Sequence, residues 1–261
     1  MMAVVELEFD GHIATITMND PKHRNRLSQA FSKSINDAFI ECEKKQKCRV
    51  VIIRAYESAA VWSAGHDIAE FADDKHDPFV WEEDYCKMLR DLLDSHLPVI
   101  AQVEGTVWGG GCDLAACCDM VVAAMNSTFA VTPVKLGLPH SYAGVAHFFH
   151  AYPMHMLKEI FMTAKPISAQ RAYTFGFVNR LCEVENLREE TLALANDVSG
   201  NAPLCLATVK AELQTFSEAL TIMPDKAERI QSIRRRAYKS HDLTEGLAAF
   251  HEKRRPNFKG Y

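Results

Sequence analysis

The feature that most constrains the fold is the alternation of short apolar runs with segments of helical periodicity. Residues 4–9 and 12–18 are apolar or alternating and flank Asp10-Gly11, a dipeptide that favours a two-residue hairpin turn. Helical spacing follows over residues 28–45, which begin with a serine suited to capping, and residues 48–55 read as a buried strand. The chain is therefore predicted to open with a β-hairpin and to continue into a helix and a strand.

The same alternation continues along the chain and predicts the fold class. The further predicted elements are a helix at 81–93, a strand at 98–103, a helix at 114–118, a strand at 120–124, a β segment at 177–184, and helices at 186–199, 204–220 and 225–240. Strands that alternate with crossover helices form a largely parallel α/β arrangement. We expect a core over residues 1–200 and a C-terminal helical region over 201–261, with a single domain as the alternative.

Composition narrows the class of partner. The chain has 261 residues, 48% of them hydrophobic, and a formal net charge of −5, so its overall field does not favour nucleic acid or an anionic membrane. The N-terminus lacks a basic segment followed by an apolar run, and no stretch approaches the roughly 20 apolar residues that a bilayer span needs. We expect a cytoplasmic protein with a small-molecule substrate.

The eight cysteines are more typical of reduced core residues than of a disulfide framework in a chain of this length. Cys112, Cys117 and Cys118 lie close together in sequence, which raises a metal site as the alternative. They lack the paired spacing of a structural zinc site, so we predict no metal.

Two glycine-containing turns carry the chemistry. Residues 63–68 (SAGHDI) and 104–114 (EGTVWGGGCDL) each follow an apolar strand and each begin a helix. Exposed backbone N–H groups at two such turns can hold one carbonyl oxygen or enolate between them, although ordinary structural turns are the alternative. Neither segment matches a phosphate-binding loop, a dinucleotide fingerprint or a nucleophile elbow.

These segments resemble the motifs of the crotonase superfamily. SAGHDI resembles the SAGxD motif, and residues 103–124 resemble the GxxxGGGxEL region with the strand after it. Further matching segments are NRLS (25–28), FAVTPVKLGLPHSYAG (129–144), ISAQRA (167–172), FGFVNRLCE (175–183) and KRRPNFKG (253–260). Within the superfamily, SAGHDI, TPVKLGLP, ERIQSIRRRAY and the KRRPNF ending are most similar to its bacterial decarboxylase branch.

The resemblance implies a superhelix of repeated ββα units with a C-terminal helical trimerisation region, assembled as a homotrimer or a dimer of trimers. It implies an acyl-coenzyme A substrate, with no separate cofactor, and an oxyanion hole made by the backbone N–H groups of His66 and Gly110. The coenzyme A-binding residues that it implies are Ala64, Gly65, His66, Asp67, Ile68, Gly110, Thr132 and Lys253. For Lys253 and its basic neighbours, a solvated tail is the alternative.

The resemblance also bears on the reaction. Hydratases of the superfamily use two glutamates, and the matching slots here hold Asp113 and Val134. Loss of one carboxylate and shortening of the other disfavour hydration, whereas an apolar Val134 suits loss of a carboxylate. We expect decarboxylation of methylmalonyl-CoA to propionyl-CoA and carbon dioxide, a carbon–carbon lyase reaction. An enoyl-CoA hydratase or isomerase that uses Asp113 and a non-catalytic thioester-binding subunit are the alternatives.

Histidines are the remaining candidates. The side chain of His66 could polarise the thioester, and His140, which stands where the decarboxylases have tyrosine, could donate a hydrogen bond to the substrate carboxylate or the enolate. Structural roles are the alternative for both residues, and they are favoured for His147 and His150. Asp113 is a catalytic candidate whose alternative is an acid in the first turn of a helix.

Overall fold

A computed structural model describes residues 4–71, 80–149, 151–218 and 224–261 of the chain. The ten strands found there are β1 (Val5–Asp10), β2 (Ile13–Met18), β3 (Val50–Ala55), β4 (Val61–Ser63), β5 (Val99–Val103), β6 (Thr106–Trp108), β7 (Met120–Ala124), β8 (Thr128–Ala130), β9 (Ile167–Ser168) and β10 (Arg180–Cys182). The α-helices are α1 (Gln29–Lys44), α2 (Asp84–Asp94), α3 (Gly110–Cys117), α4 (Tyr142–Phe149), α5 (Met154–Thr163), α6 (Ala169–Thr174), α7 (Leu187–Ser199), α8 (Pro203–Glu218), α9 (Pro224–Tyr238) and α10 (His241–His251). Short 3₁₀ helices span Ile68–Phe71, Pro133–Leu136 and Val184–Asn186.

The larger sheet confirms the predicted hairpin and the parallel α/β class. Its strand order is β1-β2-β3-β5-β7-β10, and only β1 and β2 pair antiparallel. The hairpin closes at the predicted turn, where Asp10 pairs with Ile13 and Gly11 has a φ of +58°. Ser28 caps α1 as expected, since its hydroxyl accepts the N–H of Phe31 at 3.2 Å.

Both faces of this sheet are covered. Val51 and Ile53 of β3 belong to the main core that includes α1, whereas Val50 and Ile52 pack with Leu187 of α7 on the opposite face. A strand buried on both faces has a continuous apolar sequence rather than an alternating one. The continuous apolar run at residues 50–53, within the strand predicted at 48–55, has this cause.

A second sheet was not anticipated. It contains β4, β6, β8 and β9 in that order, with β4, β6 and β8 parallel. These strands have two or three residues each, too few for the period-two pattern that identifies a strand. The sheet positions the functional site, because β4 and β6 lead directly into the two glycine turns.

Several predicted bounds change for local reasons. α2 begins at Asp84 rather than near Trp81, because Glu83 is its extended N-cap residue. α3 begins at Gly110, four residues before the expected start, because its first turn is built from glycines that carry no apolar periodicity. The predicted β segment at 177–184 is reduced to β10, and the last two residues predicted for the helix at 204–220 lie outside the described part of the chain.

The C-terminal helices contact the N-terminal region closely. The ammonium of Lys210 on α8 donates to the carbonyls of Leu92 and Leu97 at 2.9 and 2.8 Å and lies 2.8 Å from a carboxylate oxygen of Asp119. Gly246 of α10 leaves no space for a β-carbon against the backbone of Leu136. Within the described ranges, no helix has the length and apolar character needed to cross a membrane. The division at residue 200 stays a prediction.

Candidate functional site

The two glycine turns meet at one edge of the second sheet. β4 and β6 are parallel neighbours, so the turns that follow them leave the sheet on the same side. A β-carbon built onto Gly110 would lie 3.1 Å from the His66 nitrogen, and one built onto Gly65 would lie 3.0 Å from the Gly110 nitrogen. The structure therefore brings together the two backbone amides that the sequence singled out.

Hydrogen bonds around Ser63 hold the first turn in shape. The Ser63 hydroxyl donates to the carbonyl of Asn25 at 2.8 Å and accepts the N–H of Gly65 at 3.1 Å. The fully buried Asn25 side chain donates to the carbonyl of Trp62 at 3.0 Å. The N–H of Leu27 donates to the carbonyl of Gly65 at 2.7 Å, so the NRLS segment stabilises the SAG turn by a backbone hydrogen bond.

The second turn depends on close backbone approach. Gly109 has φ +46° and ψ −114°, which is strained for any residue with a β-carbon. A β-carbon on Gly111 would lie 2.8 Å from that of Ser63, so α3 packs directly on the first turn. The glycines let the helix start against β4 and place the N–H of Gly110 beside that of His66.

Asp113 lies one turn into α3 and is almost fully buried, with a relative exposure of 2%. One carboxylate oxygen lies 2.7 Å from Nδ1 of His147 on α4. The other accepts a hydrogen bond from the Tyr85 hydroxyl on α2 at 3.2 Å, and that hydroxyl also lies 3.2 Å from the carbonyl of Gly110. Three helices thus converge on one carboxylate next to the glycine turn.

The charges in this cluster are set by burial and pairing. Burial alone would raise the pKa of Asp113, but the charge and hydrogen bond of His147 outweigh it, and the pKa is lowered. Burial alone would lower the pKa of His147, but the Asp113 carboxylate outweighs it, and the pKa is raised. Burial raises the pKa of Tyr85 well above its usual value. The pairing therefore favours the ionised carboxylate of Asp113 and the protonated imidazole of His147, and burial favours the neutral form of Tyr85.

His140 lies near the pair in a less polar setting. Its ring contacts those of Phe148 and Phe161, with centroids 6.3 and 5.0 Å away. Burial lowers the pKa of His140 more than the Asp113 charge raises it. The surroundings of His140 therefore favour the neutral imidazole, whereas those of His147 favour the protonated form.

The side chain of His66 faces away from solvent. Its Nε2 lies 3.2 Å from a carboxylate oxygen of Glu70, and its ring makes an edge contact with Tyr85 at 5.1 Å between centroids. Burial would raise the pKa of Glu70, but hydrogen bonds from His66 and from the Gln29 N–H lower it overall. These contacts fix the ring and so fix the direction of the backbone at residue 66.

A metal interpretation of the cluster can be tested on its geometry. Asp113, Cys117 and His147 place donor atoms within 4.8 Å of one another. A metal about 2.0 Å from both a histidine nitrogen and a carboxylate oxygen would separate them by about 3.3 Å in a tetrahedral site. The observed Nδ1 to Oδ1 distance is 2.7 Å, and burial raises the pKa of the Cys117 thiol well above its usual value. This arrangement fits a hydrogen-bonded pair; the expectation of no metal stays a prediction.

The predicted coenzyme A-binding residues fall in four places, one of which is Gly110 at the start of α3. Ala64 to Ile68 line the first turn, where Asp67 pairs with Arg26 at 3.1 Å and accepts the N–H of Ala69 at 3.1 Å. Thr132 is partly buried and lies immediately before the 3₁₀ helix that contains the exposed Val134. Lys253 lies on the exposed surface just after α10. These binding roles stay predictions.

Sequence reasoning missed Tyr85 and assigned His147 a structural role. Tyr85 lies on a predicted helix with no motif around it, so no local signal was present. His147 lies 34 residues from Asp113, and only the packing of α4 against α3 pairs them. His150 lies outside the described residues.

Comparisons with known proteins agree with this architecture. The model of the enoyl-CoA hydratase/isomerase family matches residues 8–261. The methylmalonyl-CoA decarboxylase of Escherichia coli (strain K12) is 39% identical over 249 residues, covering 95% of each chain. The carnitinyl-CoA dehydratase of Salmonella typhi is 32% identical over 267 residues, covering 100% of each chain.

A solved structure extends the comparison to three dimensions. The complex of methylmalonyl-CoA decarboxylase with 2-nitronate-propionyl-CoA superposes with a TM-score of 0.96 at 38% identity and covers 99% of each chain. The predicted crotonase fold and the predicted resemblance to the decarboxylase branch are both confirmed. With a family match over nearly the whole length, the chain belongs to the enoyl-CoA hydratase/isomerase family, the crotonase superfamily of the sequence motifs.

Proposed function

We propose that the protein is a carbon–carbon lyase that decarboxylates methylmalonyl-CoA to propionyl-CoA and carbon dioxide. The observation that carries this proposal concerns the two positions at which hydratases of the superfamily have glutamates. Val134 offers no carboxylate, and both carboxylate oxygens of Asp113 are already engaged by His147 and Tyr85. A pair of carboxylates that activates water is therefore not assembled at these slots, whereas the two adjacent amides remain suited to an enolate. The similarity to methylmalonyl-CoA decarboxylase supports the same reaction.

In the proposed reaction, the thioester oxygen accepts hydrogen bonds from the N–H groups of His66 and Gly110. The bond between the α-carbon and the carboxylate breaks, carbon dioxide leaves, and the electron pair forms the thioester enolate. Donors aimed at an oxygen that becomes negative stabilise the transition state more than the ground state. The aromatic surroundings of His140 suit this chemistry, because a desolvated carboxylate is more easily lost as neutral carbon dioxide.

The substrate-binding part of the proposal extends to coenzyme A. We assign the thioester and adenine end to Ala64, Gly65, His66, Asp67 and Ile68, the acyl pocket to Thr132, and a phosphate contact to Lys253. The segment 22–26 (KHRNR) lies directly against the first turn, since the N–H of Ala64 donates to the carbonyl of Arg24 at 2.9 Å. Its basic side chains support binding of an anionic substrate at this edge.

We also propose a homotrimer or a dimer of trimers, located in the cytoplasm. Leu204, Leu213 and Phe216 on α8 are 82%, 64% and 75% exposed, and burial of such a face stabilises association. All eight cysteines are free thiols, which suits a reducing compartment. Light scattering of the purified chain tests the assembly; a monomer at micromolar concentration would contradict it.

Mass spectrometry of the protein incubated separately with methylmalonyl-CoA and crotonyl-CoA tests the reaction. We expect propionyl-CoA from the first substrate and no hydrated product from the second. Hydration of crotonyl-CoA would support a hydratase, which the 32% identity to carnitinyl-CoA dehydratase keeps as the second candidate. Thioester binding without turnover would instead support a non-catalytic binding subunit.

A further inference from the structure

Decarboxylation leaves an enolate that must take up one proton at its α-carbon, and the sequence did not identify the donor. The two backbone amides cannot serve, because they bind oxygen and retain their hydrogens. The donor must be an acid that is protonated at neutral pH and lies beside the two glycine turns. Two histidines, His140 and His147, lie near this edge, and their surroundings differ.

The geometry connects His147 to the proposed enolate site through a short chain of contacts. Nδ1 of His147 lies 2.7 Å from Asp113, and Asp113 accepts the Tyr85 hydroxyl at 3.2 Å. That hydroxyl would lie 2.9 Å from a β-carbon at Gly110, the residue whose N–H is one of the two paired amides. The cluster therefore borders the place where the enolate oxygen would be held.

Charge distinguishes the two histidines. His147 is paired with a buried carboxylate, which favours the imidazolium, whereas burial and the charges of His147 and Arg234 lower the pKa of His140. The other titratable groups facing the pair are Tyr85 and Cys117, and burial raises the pKa of each well above its usual value. His147 is thus the group of this cluster whose surroundings favour the protonated form.

We propose that His147 is the acid that protonates the α-carbon of the enolate, with Asp113 as the residue that positions it; this assignment rests on the proposed decarboxylation. The Nε2–H bond breaks and its proton forms the new C–H bond, using the electron pair released from the lost carboxylate. The enolate oxygen returns to a carbonyl, and the imidazole becomes neutral while Nδ1 keeps its proton toward Asp113. Solvent then restores the imidazolium.

The reverse of this step provides a test that does not need decarboxylation. Propionyl-CoA in D₂O should exchange its α-hydrogens, because neutral His147 removes a proton and the deuterated imidazolium returns deuterium. General acid–base groups typically contribute about 10²–10⁴-fold. We expect His147→Gln to slow this exchange at least about tenfold, while His155→Gln, at an exposed position on α5, leaves it unchanged.

Two outcomes would overturn the assignment: equal exchange rates in the wild type and the His147→Gln variant, or no exchange by the wild type. A separate measurement tests the proposed function. If the wild type exchanges the α-hydrogens of propionyl-CoA but releases no carbon dioxide from methylmalonyl-CoA, the proposed decarboxylation is wrong. If His147→Gln does not fold, Asp113→Asn is used. Exchange should fall on the acidic side of its pH profile, where His147 is protonated and cannot remove a proton, and removing the Asp113 charge should move this acidic limb to lower pH; an unchanged limb would also overturn the assignment.

Discussion

The candidate site has a backbone half, formed by the amides of His66 and Gly110, and a side-chain half, formed by Tyr85, Asp113, His140 and His147. The backbone half comes from two continuous motifs whose glycines permit close packing. The side-chain half is assembled from three helices and the segment before α4, over a sequence distance of 62 residues between Tyr85 and His147.

The difference lies in how each half responds to substitution and pH. Amides do not titrate in the physiological range, so the backbone half should depend on steric fit alone. The side-chain half contains an ion pair whose partners shift each other's pKa in opposite directions. Substitutions at glycine should therefore act at every pH, whereas substitutions in the side-chain half should act through protonation.

The largest effect is expected for Gly110→Ala. Its methyl group would lie 2.9 Å from the Tyr85 hydroxyl and 3.1 Å from the His66 nitrogen, so it would obstruct the paired amides. Loss of one oxyanion donor typically costs about 10²–10³-fold in kcat, and we expect a loss of this size in propionyl-CoA formation at all pH values. Gly200→Ala, at the end of α7, is the matched control. A normal rate in Gly110→Ala would remove the backbone half from the mechanism.

The next effect concerns stability. Breaking a buried ion pair by removing one partner costs about 3–5 kcal/mol, so Asp113→Asn should lower the free energy of unfolding by about 3 kcal/mol at pH 6. Because the pKa of His147 is raised in the folded state, the stabilisation that its charge provides is fully present below the unfolded histidine pKa of about 6.5. This stabilisation is lost as the pH rises through the folded-state pKa. Because the pKa of Asp113 is lowered in the folded state, the stabilisation that its charge provides is fully present above the unfolded aspartate pKa of about 3.9. This stabilisation is lost as the pH falls through the folded-state pKa.

Urea unfolding at pH 6 and at pH 9 measures this dependence. The difference between wild type and Asp113→Asn should be smaller at pH 9 than at pH 6, because the higher pH favours loss of the charge on His147. A double variant, Asp113→Leu with His147→Leu, removes both charges and should be less destabilised at pH 6 than Asp113→Asn. A constant difference across pH would contradict an aspartate–histidinium pair.

A smaller effect is expected at His140. The ring lies against Phe148 and Phe161 in surroundings that favour its neutral form, so His140→Phe should preserve the packing and remove the hydrogen bond to the substrate that the sequence predicts. A neutral hydrogen bond contributes about 0.5–1.5 kcal/mol, which corresponds to an increase in KM of roughly two- to tenfold with kcat nearly unchanged. Steady-state kinetics separates the two constants. A large fall in kcat would instead identify His140 as a proton donor.

The smallest effect is expected at Lys253, outside both halves. An exposed charge contributes at most about 1 kcal/mol and is screened by salt. Lys253→Ala should raise KM by roughly two- to fivefold at low ionic strength. The difference in KM between this variant and the wild type should become smaller in high salt. Lys47→Ala, also exposed, is the control. Equal KM values for Lys253→Ala and wild type at low salt would leave Lys253 as part of a solvated tail.

The sequence by itself determined the hairpin, the parallel class, the two glycine turns and the family. Each of these depends on local chemistry: Asp10-Gly11 permits the turn, and SAG and GGG permit close backbone approach. It also identified Asp113 and Val134 as departures from the hydratase pattern, because those slots have fixed positions within motifs.

Only the tertiary structure decided the second sheet and the side-chain half. Strands of two or three residues, such as β4 and β9, are too short to show a period, so their pairing is visible only in space. The same holds for Tyr85 and His147. Both contact Asp113 because α2, α3 and α4 pack together, and no motif near either residue in the sequence predicts this contact. The pairing of that carboxylate with His147, and the burial of His140, then shift the pKa values of the two histidines in opposite directions, because desolvation and pairing act between groups that are far apart in the linear sequence.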